Sequence, residues 1–343
     1  MKKVLITGIN GQDGSYLAKN LLERGYKVFG AKRRGSTSGM WRLEKLRIEK
    51  DIELVDFDLI EQSNVYKVIE NIEPEEIYNL AAQSFVQTSF ALPVYTAQID
   101  GIAVCYLLEA IKMINSKIKF YQASTSEMFG KVQTIPQNED TPFYPRSPYG
   151  VAKLYGHWIT KNYRESYNMH SCRGILFNHE SPLRGEEFVT RKITIALAKI
   201  KNGNQDFIEL GNINAKRDWG FAGDYVEAMR LMLQSNTPAD DYVIATNETY
   251  TVKEFIEKAA KFIDIDIEWR GSAENEIGIN RKSGKTIIKI DPKYHRLAEV
   301  DLLIGDYSKA KKVLGWEPKM SFDSLVEYMM IEDLKNINNK SYV

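Results

Sequence analysis

Tyr149 and Lys153 stand four residues apart in Ser147-Pro148-Tyr149-Gly150-Val151-Ala152-Lys153. That spacing puts both side chains on one face of a helix. A free phenol ionises near pH ~10, too high for a base at neutral pH. A neighbouring ammonium favours the phenolate, so the pair can take a proton from a hydroxyl. Alone it also occurs as an ordinary surface pair, and its worth depends on what stands nearby. Upstream, an apolar run ends in Ala123-Ser124-Thr125-Ser126-Glu127. Strand ends at one edge of a parallel sheet are where reacting groups belong. The hydroxyls of Ser124, Thr125 and Ser126 can serve as hydrogen-bond donors or merely cap a loop. Glu127 can act as a general base or acid, or be a solvated loop acid.

A second set of residues suits a dinucleotide. Gly8-Ile9-Asn10-Gly11-Gln12-Asp13-Gly14 follows the apolar run at 3–7 and opens a helical pattern. Glycines Gly8, Gly11 and Gly14 allow a tight turn and let backbone amides approach a pyrophosphate, to which the helix N-terminus adds positive charge. Asn10, Gln12 and Asp13 fill the loop. An NAD-selective site would place an acid at the end of the second strand. This chain has Lys32-Arg33-Arg34-Gly35-Ser36 there. Arg33 and Arg34, with Ser36, suit a 2′-phosphate through charge-assisted bonds, which points to NADP; a solvated basic loop is the alternative. Asp58-Leu59 follows the third strand, where the Asp58 carboxylate can meet an adenine amino group or simply cap a helix. A bound nicotinamide ring, itself cationic, would join Lys153 in favouring the Tyr149 phenolate, and Lys153 would hold the nicotinamide ribose.

The elements that must position these groups can be read from periodicity. Short apolar runs predict strands over 3–7, 26–31, 52–56, 76–81, 117–123 and 171–178. Helical spacing predicts helices over 13–24, 63–71, 96–114 and 148–167. Strands alternating with helices imply an α/β fold, a Rossmann-like doubly wound parallel sheet. Beyond residue 177 the pattern is irregular, with helices at 190–201, 224–234, 252–262 and 308–314 among polar loops. That half is expected to form a smaller C-terminal α/β substrate lobe over the sheet's carboxyl edge. The division is placed at residues 1–178 for the NADP-binding Rossmann domain and 179–343 for the mainly substrate-binding lobe, with the chain able to cross back to the first. The tail 336–343 is polar and expected to fray.

Composition narrows the class. Hydrophobic residues make up 43% and charged residues 27% of 343, enough for a substantial core. Lys+Arg and Asp+Glu are each 46, which argues against a general nucleic-acid binder. Cys105 and Cys172 form no CxxC pair, so a disulfide framework or thiolate zinc site is not expected. His157, His170, His179 and His295 show no metal-ligand spacing and read as structural or surface residues. The N-terminal apolar run stops at Thr7, short of the roughly 7–15 residues of a secretory signal core. No stretch approaches the ~20 apolar residues of a membrane span. A cytoplasmic protein is expected, with no metal and no membrane partner.

Taken together, TGINGQDGSYLAKNLL, KRRGS, NLAAQS, STSE, SPYGVAK, FNHESP, RGEEFVTRK, GNINAKRDWGFAGDYVEAM and AEVDLLIGD resemble the GDP-mannose 4,6-dehydratases, which are extended short-chain dehydrogenase/reductases. The resemblance runs from Lys3 to about Lys319. It implies a redox-neutral cycle. Tyr149 takes the proton from sugar O4 while C4 passes hydride to NADP, Glu127 removes the C5 proton, water leaves from C6, and the hydride returns to C6. Thr125 is implied as a hydrogen-bond partner of O4. Ser126 stands where relatives acting on deoxythymidine-linked glucose carry Asp, so Glu127 is implied as both base and acid. The resemblance further implies Leu80, Ala81, Ala82 and Ser84 beside the cofactor, with Ser84 also reaching the sugar. Asn178 is implied to touch sugar or phosphate, and Val189 and Lys192 to lie near guanine. Gly211 is implied in the same pocket, Arg217 and Arg296 on the diphosphate, and Glu299 on the nucleotide ribose. Surface ion pairing is the ordinary role of single arginines; a dianionic pyrophosphate suits two of them. A homo-oligomer, dimer or tetramer, is implied, with the Arg34 loop at an interface.

The sequence departs from that pattern in places. Phe85 replaces His after AAQS, Leu183 replaces Arg in SPRRG, Leu297 replaces Pro before AEVD, and Phe129 replaces Tyr after STSEM. Phe85 is expected near the sugar and Leu183 near the interface, which leaves GDP-mannose and GDP-manno-heptose both open. A nucleotide-sugar 4-epimerase would share Tyr149 and Lys153 without needing Glu127. A non-catalytic NADP-binding regulator would have no reason to keep all three.

Overall fold

The computed structural model describes residues 1–36, 38–294, 300 and 302–338. The first half runs β1 (Lys3–Thr7), α1 (Gln12–Leu22), β2 (Lys27–Lys32), α2 (Trp41–Lys45), β3 (Glu53–Asp56), α3 (Gln62–Ile72), β4 (Glu76–Asn79), α4 (Val86–Ala91), α5 (Pro93–Ala97), α6 (Ala103–Ile114), β5 (Lys119–Thr125), α7 (Pro148–Tyr167) and β6 (Ser171–Leu176). Six strands and a seventh, Asp241–Ile244, form one sheet in the order Asp241–Ile244, β6, β5, β4, β1, β2, β3. Every pairing is parallel. Strands covered on both faces must be apolar throughout, and Val4, Leu5 and Ile6 of β1 are fully buried. Leu17, Ala18 and Leu21 of α1 pack on one face, and Leu107, Leu108 and Ile111 of α6 on the other.

The strand order reverses between β1 and β4, so a crevice opens at their carboxyl ends. Thr7 ties the two strands there. Its hydroxyl donates to Asn79 at 2.7 Å and accepts the amides of Leu80 and Ala81 at 3.0 Å each.

The second half leaves the sheet through β7 (Asn178–Glu180), which pairs with Trp219–Phe221. It then forms α8 (Val189–Lys201) and α9 (Ala222–Gln234). A four-stranded sheet in the order Ile267–Arg270, Ile277–Asn280, Thr286–Ile290, Ile208–Leu210 has its own core, in which Leu197, Phe255, Ile288 and Met329 are fully buried. The chain crosses back twice. Helix α9 packs against α1, and Asp241–Ile244 completes the large sheet beside β6. Asp241 is gripped by Arg164 and Arg173. Burial works against its charge, but the two guanidiniums outweigh it and hold the carboxyl well below the usual carboxylate range.

Three sequence expectations need correction. The helix expected over 96–114 is interrupted: α5 ends at Ala97, a π-type turn covers Gln98–Ile102, and α6 follows. There the backbone must fit α7, because the Asp100 carbonyl lies only 2.9 Å from where a Cβ on Gly156 would be. The strand expected over 171–178 breaks at Phe177, because β7 turns away to pair in the second half. Of the tail 336–343 expected to fray, 336–338 are helical at the end of Phe322–Asn338, and 339–343 lie outside the described residues. That helix is held by Leu325, Val326, Met329 and Met330 in the second core.

Candidate active site

A cavity of about 400 Å³ opens at the sheet's carboxyl edge, between the large sheet and the smaller lobe. Its floor is the glycine loop. Gly8 has φ +68°, and a Cβ there would lie 2.9 Å from the Ala81 backbone. A Cβ on Gly14 would lie 2.4 Å from the Gly8 carbonyl. Only glycine satisfies both the left-handed backbone and these close approaches. The loop is thereby pressed against the start of α1, with its backbone exposed to the cavity.

The reacting side chains converge on one wall. Thr125 ends β5, and its hydroxyl accepts the Glu127 amide at 3.2 Å, capping the short turn Ser126–Met128. This exposes Thr125, Ser126 and Glu127 to the cavity while leaving each largely buried. Helix α7 starts at Pro148 behind the Ser147 cap, whose hydroxyl accepts the Gly150 amide at 3.0 Å. Pro at the first helical position and Ser at the cap are a strong start signal. One turn later Lys153 Nζ donates to the Ala123 carbonyl at 3.1 Å and lies 5.9 Å from the centre of the Tyr149 ring. Ser124 is hydrogen-bonded to His157 Nδ1 at 2.9 Å, and Arg173 donates to the His157 carbonyl at 2.7 Å. These bonds fix α7 against β5, so the Tyr149 and Thr125 positions are set by backbone.

The electrostatics of this wall differ from the expectation in one respect. Burial raises the Tyr149 phenol above its ordinary value, and the Asp100 and Glu127 carboxylates push it further. A hydrogen bond from Thr125 pulls it the other way without prevailing. The protein's own groups therefore hold Tyr149 protonated. Burial lowers the Lys153 ammonium, opposed by Asp100. Asp100 is itself pushed up to about 6 by burial, with Lys153 and the Gln83 amide resisting. A cationic group over the site would favour the ionised phenol.

Gly8, Gly11, Gln12, Asp13, Gly14, Leu80, Ala82 and Ser84 line the cavity, as do Asn178, Val189, Lys192, Gly211 and Arg217. Asn10, Arg33, Arg34, Ser36, Asp58, Leu59 and Ala81 are not among its lining residues. Asn10 lies behind the loop, with its carbonyl accepting Arg42. Arg33, Arg34 and Ser36 are exposed at the end of β2, and Arg33 donates to the Tyr95 hydroxyl at 2.6 Å. Asp58 accepts the Ile60 amide at 3.3 Å within the turn before α3, whose cap position is Glu61. The Leu59 side chain is in the core. Arg296 and Glu299 lie outside the described residues. Leu183 is buried to 1% exposure within this chain, so its side chain is no part of an outer surface.

Of the lining residues, Phe188, Arg184, Tyr294 and His179 were not singled out as site residues from sequence, whereas Phe85 and Lys192 were. Phe85 packs edge-on against Phe188 at 5.7 Å, and Arg184 lies over the Phe188 ring at 3.7 Å. Lys192 sits 3.7 Å from the centre of the Tyr294 ring and donates to the Glu209 carbonyl. His179 projects to the loop and pairs with Asp13. Arg184 and His179 both fall within quoted motifs, RGEEFVTRK and FNHESP, and that was their only signal. Among the described residues, no cluster of His, Cys, Asp and Glu could hold a metal ion, and no helix is long and apolar enough to cross a membrane.

A sequence profile described as GDP-mannose 4,6 dehydratase matches residues 5–329. The chain belongs to the GDP-mannose 4,6-dehydratase family. It is 52% identical over 342 residues to the GDP-mannose 4,6 dehydratase of Drosophila melanogaster, covering 97% of this chain and 86% of that protein. It is 53% identical over 340 residues to that of Homo sapiens, covering 96% and 91%. The UDP-glucose 4-epimerase of Thermotoga maritima shares the fold, with a TM-score of 0.82 at 23% identity over 98% of this chain and 99% of that one. With the family, the chain is a lyase-type dehydratase, a reading supported over the epimerase and regulator alternatives.

Proposed function

We propose that the protein removes water from GDP-mannose to give GDP-4-keto-6-deoxymannose, with NADP as its cofactor. The observation that carries this reading is the meeting of Thr125, Glu127, Tyr149 and Lys153 on one buried wall of the cavity, in a member of this family. An epimerase would need no carboxylate there.

The cradle fits a diphosphate, because Gly8 and Gly14 let the loop pack tightly on the Ala81 backbone and on its own first turn while its backbone lines the cavity. Gly8, Gly11, Gln12, Asp13 and Gly14 would hold that diphosphate, Leu80, Ala82 and Ser84 the adjoining wall, and Arg33 and Arg34 the 2′-phosphate. NADP, when bound, accepts hydride from C4 of the sugar and returns it to C6. The chain's own residues manage protons. Tyr149 Oη takes the proton of the sugar O4 hydroxyl, and Thr125 Oγ1 bonds O4 as the carbonyl forms. Lys153 holds position through the Ala123 carbonyl and favours the phenolate. The 4-ketone acidifies the C5 hydrogen; a Glu127 carboxylate oxygen takes that proton and delivers it to the departing C6 hydroxyl. Ser126 hydrogen-bonds but is too weak an acid to share that task. As hydride returns to C6, C5 takes up a proton in exchange for the one Tyr149 took from O4, so that, net, one water leaves and cofactor and side chains are unchanged.

Asn178, Val189, Lys192, Gly211 and Arg217 are read as the GDP-sugar wall. Arg296 and Glu299 retain the diphosphate and ribose roles suggested by their motif. Residues 1–178 form the cofactor domain in this reading, and 179–343 mainly the substrate lobe. A homo-oligomer is expected, supported by the exposed side chains of Ile102 before α6 and of Val151, Tyr155 and Trp158 on α7. The free thiols Cys105 and Cys172 are in keeping with a reducing cytoplasm.

The test is to incubate the purified protein with GDP-mannose and, separately, GDP-manno-heptose, and follow product mass. Loss of one water from GDP-mannose is expected. Loss from the heptose alone would keep the chemistry and move the sugar, with Phe85 the first suspect. A product of unchanged mass would overturn the dehydratase reading.

A further inference from the structure

Asp13 poses a problem for the diphosphate cradle. It is the second residue of α1, and it lines the cavity beside Gly11 and Gly14. A bare carboxylate there would repel the anion that the loop amides and the helix N-terminus attract. We propose that His179 is the permanent counter-ion of Asp13, and that it acts as a positioning residue keeping the cofactor loop able to accept a diphosphate. The proposal rests on the cofactor reading above.

The argument is one of donors and acceptors. His179 Nε2 lies 2.7 Å from Asp13 Oδ2, and Nδ1 lies 2.8 Å from the Phe177 carbonyl oxygen. A carbonyl oxygen can only accept, so Nδ1 carries a hydrogen. A carboxylate also only accepts, so Nε2 carries one too. The ring is therefore an imidazolium, and the pair is net neutral. Tyr225 stacks on the ring at 4.7 Å and 28°, which fixes its plane. Gln12 locks the backbone beneath: its amide donates to the His179 carbonyl at 3.1 Å and its oxygen accepts the Ser181 hydroxyl at 2.7 Å. Asn178, on the proposed sugar wall, is the adjacent residue. The same pair thus ties the substrate strand β7 to the cofactor loop.

Burial works against both charges, and the mutual attraction and hydrogen bond overcome it: Asp13 is lowered and His179 raised from their ordinary values. Other charges face the pair. Arg184, from the loop after β7, stabilises the carboxylate and opposes the imidazolium. Arg42 of α2, Lys153 of α7 and Tyr121 of β5 all feel the Asp13 charge. Tyr225 of α9 is uncharged. The sign follows. The imidazolium is fully present below the ordinary histidine value of 6.5 and is lost only as pH rises through the raised one. The ionised Asp13 persists below its ordinary 3.8. The pair is intact below 6.5 and opens as pH rises through the raised histidine value.

The experiment is a titration of NADP into wild type, His179→Gln, Asp13→Asn and the double variant, at neutral and alkaline pH. His179→Gln is expected to weaken binding at least about ten-fold, the worth of a lost charge-assisted partner. Adding Asp13→Asn should restore most of it, because the exposed charge is gone; a purely structural histidine would not be rescued by its partner's neutralisation. Wild-type affinity should fall at alkaline pH and the double variant's should not. A double variant binding no tighter than His179→Gln would overturn the proposal. Should His179→Gln fail to fold, nitrogen NMR of histidine-labelled wild type at neutral pH decides: two protonated ring nitrogens on His179 support the pair, and a neutral tautomer overturns it. Wild type that binds neither NADP nor NAD would instead bring down the cofactor reading, and this inference with it.

Discussion

The two walls of the cavity are built by different means. On one, Thr125 ends the seven-residue strand β5 and Glu127 follows it, and Tyr149 and Lys153 occupy the first turns of the twenty-residue helix α7. Their places are fixed by backbone: the Ser147 cap, the Thr125 cap and the Lys153 bond to the Ala123 carbonyl. On the other wall, Asn178 sits on a three-residue strand and Arg217 on a two-residue one, and Gly211 sits between short strands. Chemistry needs reacting atoms placed within a fraction of an ångström. Recognition can spread over side chains that each contribute part. The first wall should therefore fail all at once, the second by degrees.

The sharpest break in this comparison is Tyr149→Phe. It leaves the ring packed in the wall and removes only the oxygen that takes the O4 proton. A general base of this kind is worth roughly 10²–10⁴-fold, and its loss here also prevents oxidation at C4. Turnover of GDP-mannose should drop at least about a thousand-fold, with substrate affinity within about three-fold of wild type because only one hydrogen bond is lost. Activity near the wild-type level in a mass assay would remove Tyr149 from the mechanism.

Glu127→Gln comes next and separates the two halves of the reaction. Oxidation at C4 needs Tyr149 and not Glu127, while elimination needs a carboxylate. Overall turnover should fall about a hundred-fold or more, and the enzyme should be found with its cofactor reduced, seen in the absorbance of the dihydronicotinamide during a single turnover. Turnover at the wild-type rate would show that another group removes the C5 proton.

On the recognition wall, Arg217→Ala should act by degrees. Charge-assisted bonds are worth about 1.5–3 kcal/mol, so KM for GDP-mannose should rise about ten-fold or somewhat more while kcat changes little. A collapse of kcat with KM unchanged would mean that Arg217 serves the reacting wall, and the contrast between walls would be wrong.

The reacting wall was also the more legible in the sequence, for the same physical reason. A helix start written Ser-Pro-Tyr and a strand ending in Ser-Thr-Ser-Glu are local patterns, and helix 148–167 stands as its spacing predicts. The break of the 96–114 helix was not legible, because the π-type turn answers to close packing on Gly156, some 55 residues away. The end of β6 was hidden because the partner of β7, Trp219–Phe221, lies 41 residues on. His179 read as an ordinary structural histidine, because its partner Asp13 is 166 residues earlier and only folding brings the two together. The expectation that Lys153 and a bound nicotinamide ring would favour the Tyr149 phenolate did not reckon with the groups that oppose it. Asp100 and Glu127 oppose it, and burial opposes it most.

The smallest effect is expected from the rim of the cofactor site, where Arg33 and Arg34 are exposed and solvent screens them. Replacing both with alanine should weaken NADP about ten-fold, through two partly screened bonds to the 2′-phosphate. NAD has no such phosphate, and its affinity should stay within about two-fold, because the Gly8–Gly14 cradle that holds the shared diphosphate is untouched. Tyr95→Phe should show a weaker version of the same selectivity, since it removes the hydroxyl that holds Arg33 at 2.6 Å without removing the charge. Its expected loss is a few-fold in NADP alone, the worth of orienting one exposed side chain. Equal weakening of NADP and NAD in the double alanine variant would mean that the basic loop supports the fold of the rim and does not read the phosphate, and the choice of NADP would lose its physical basis.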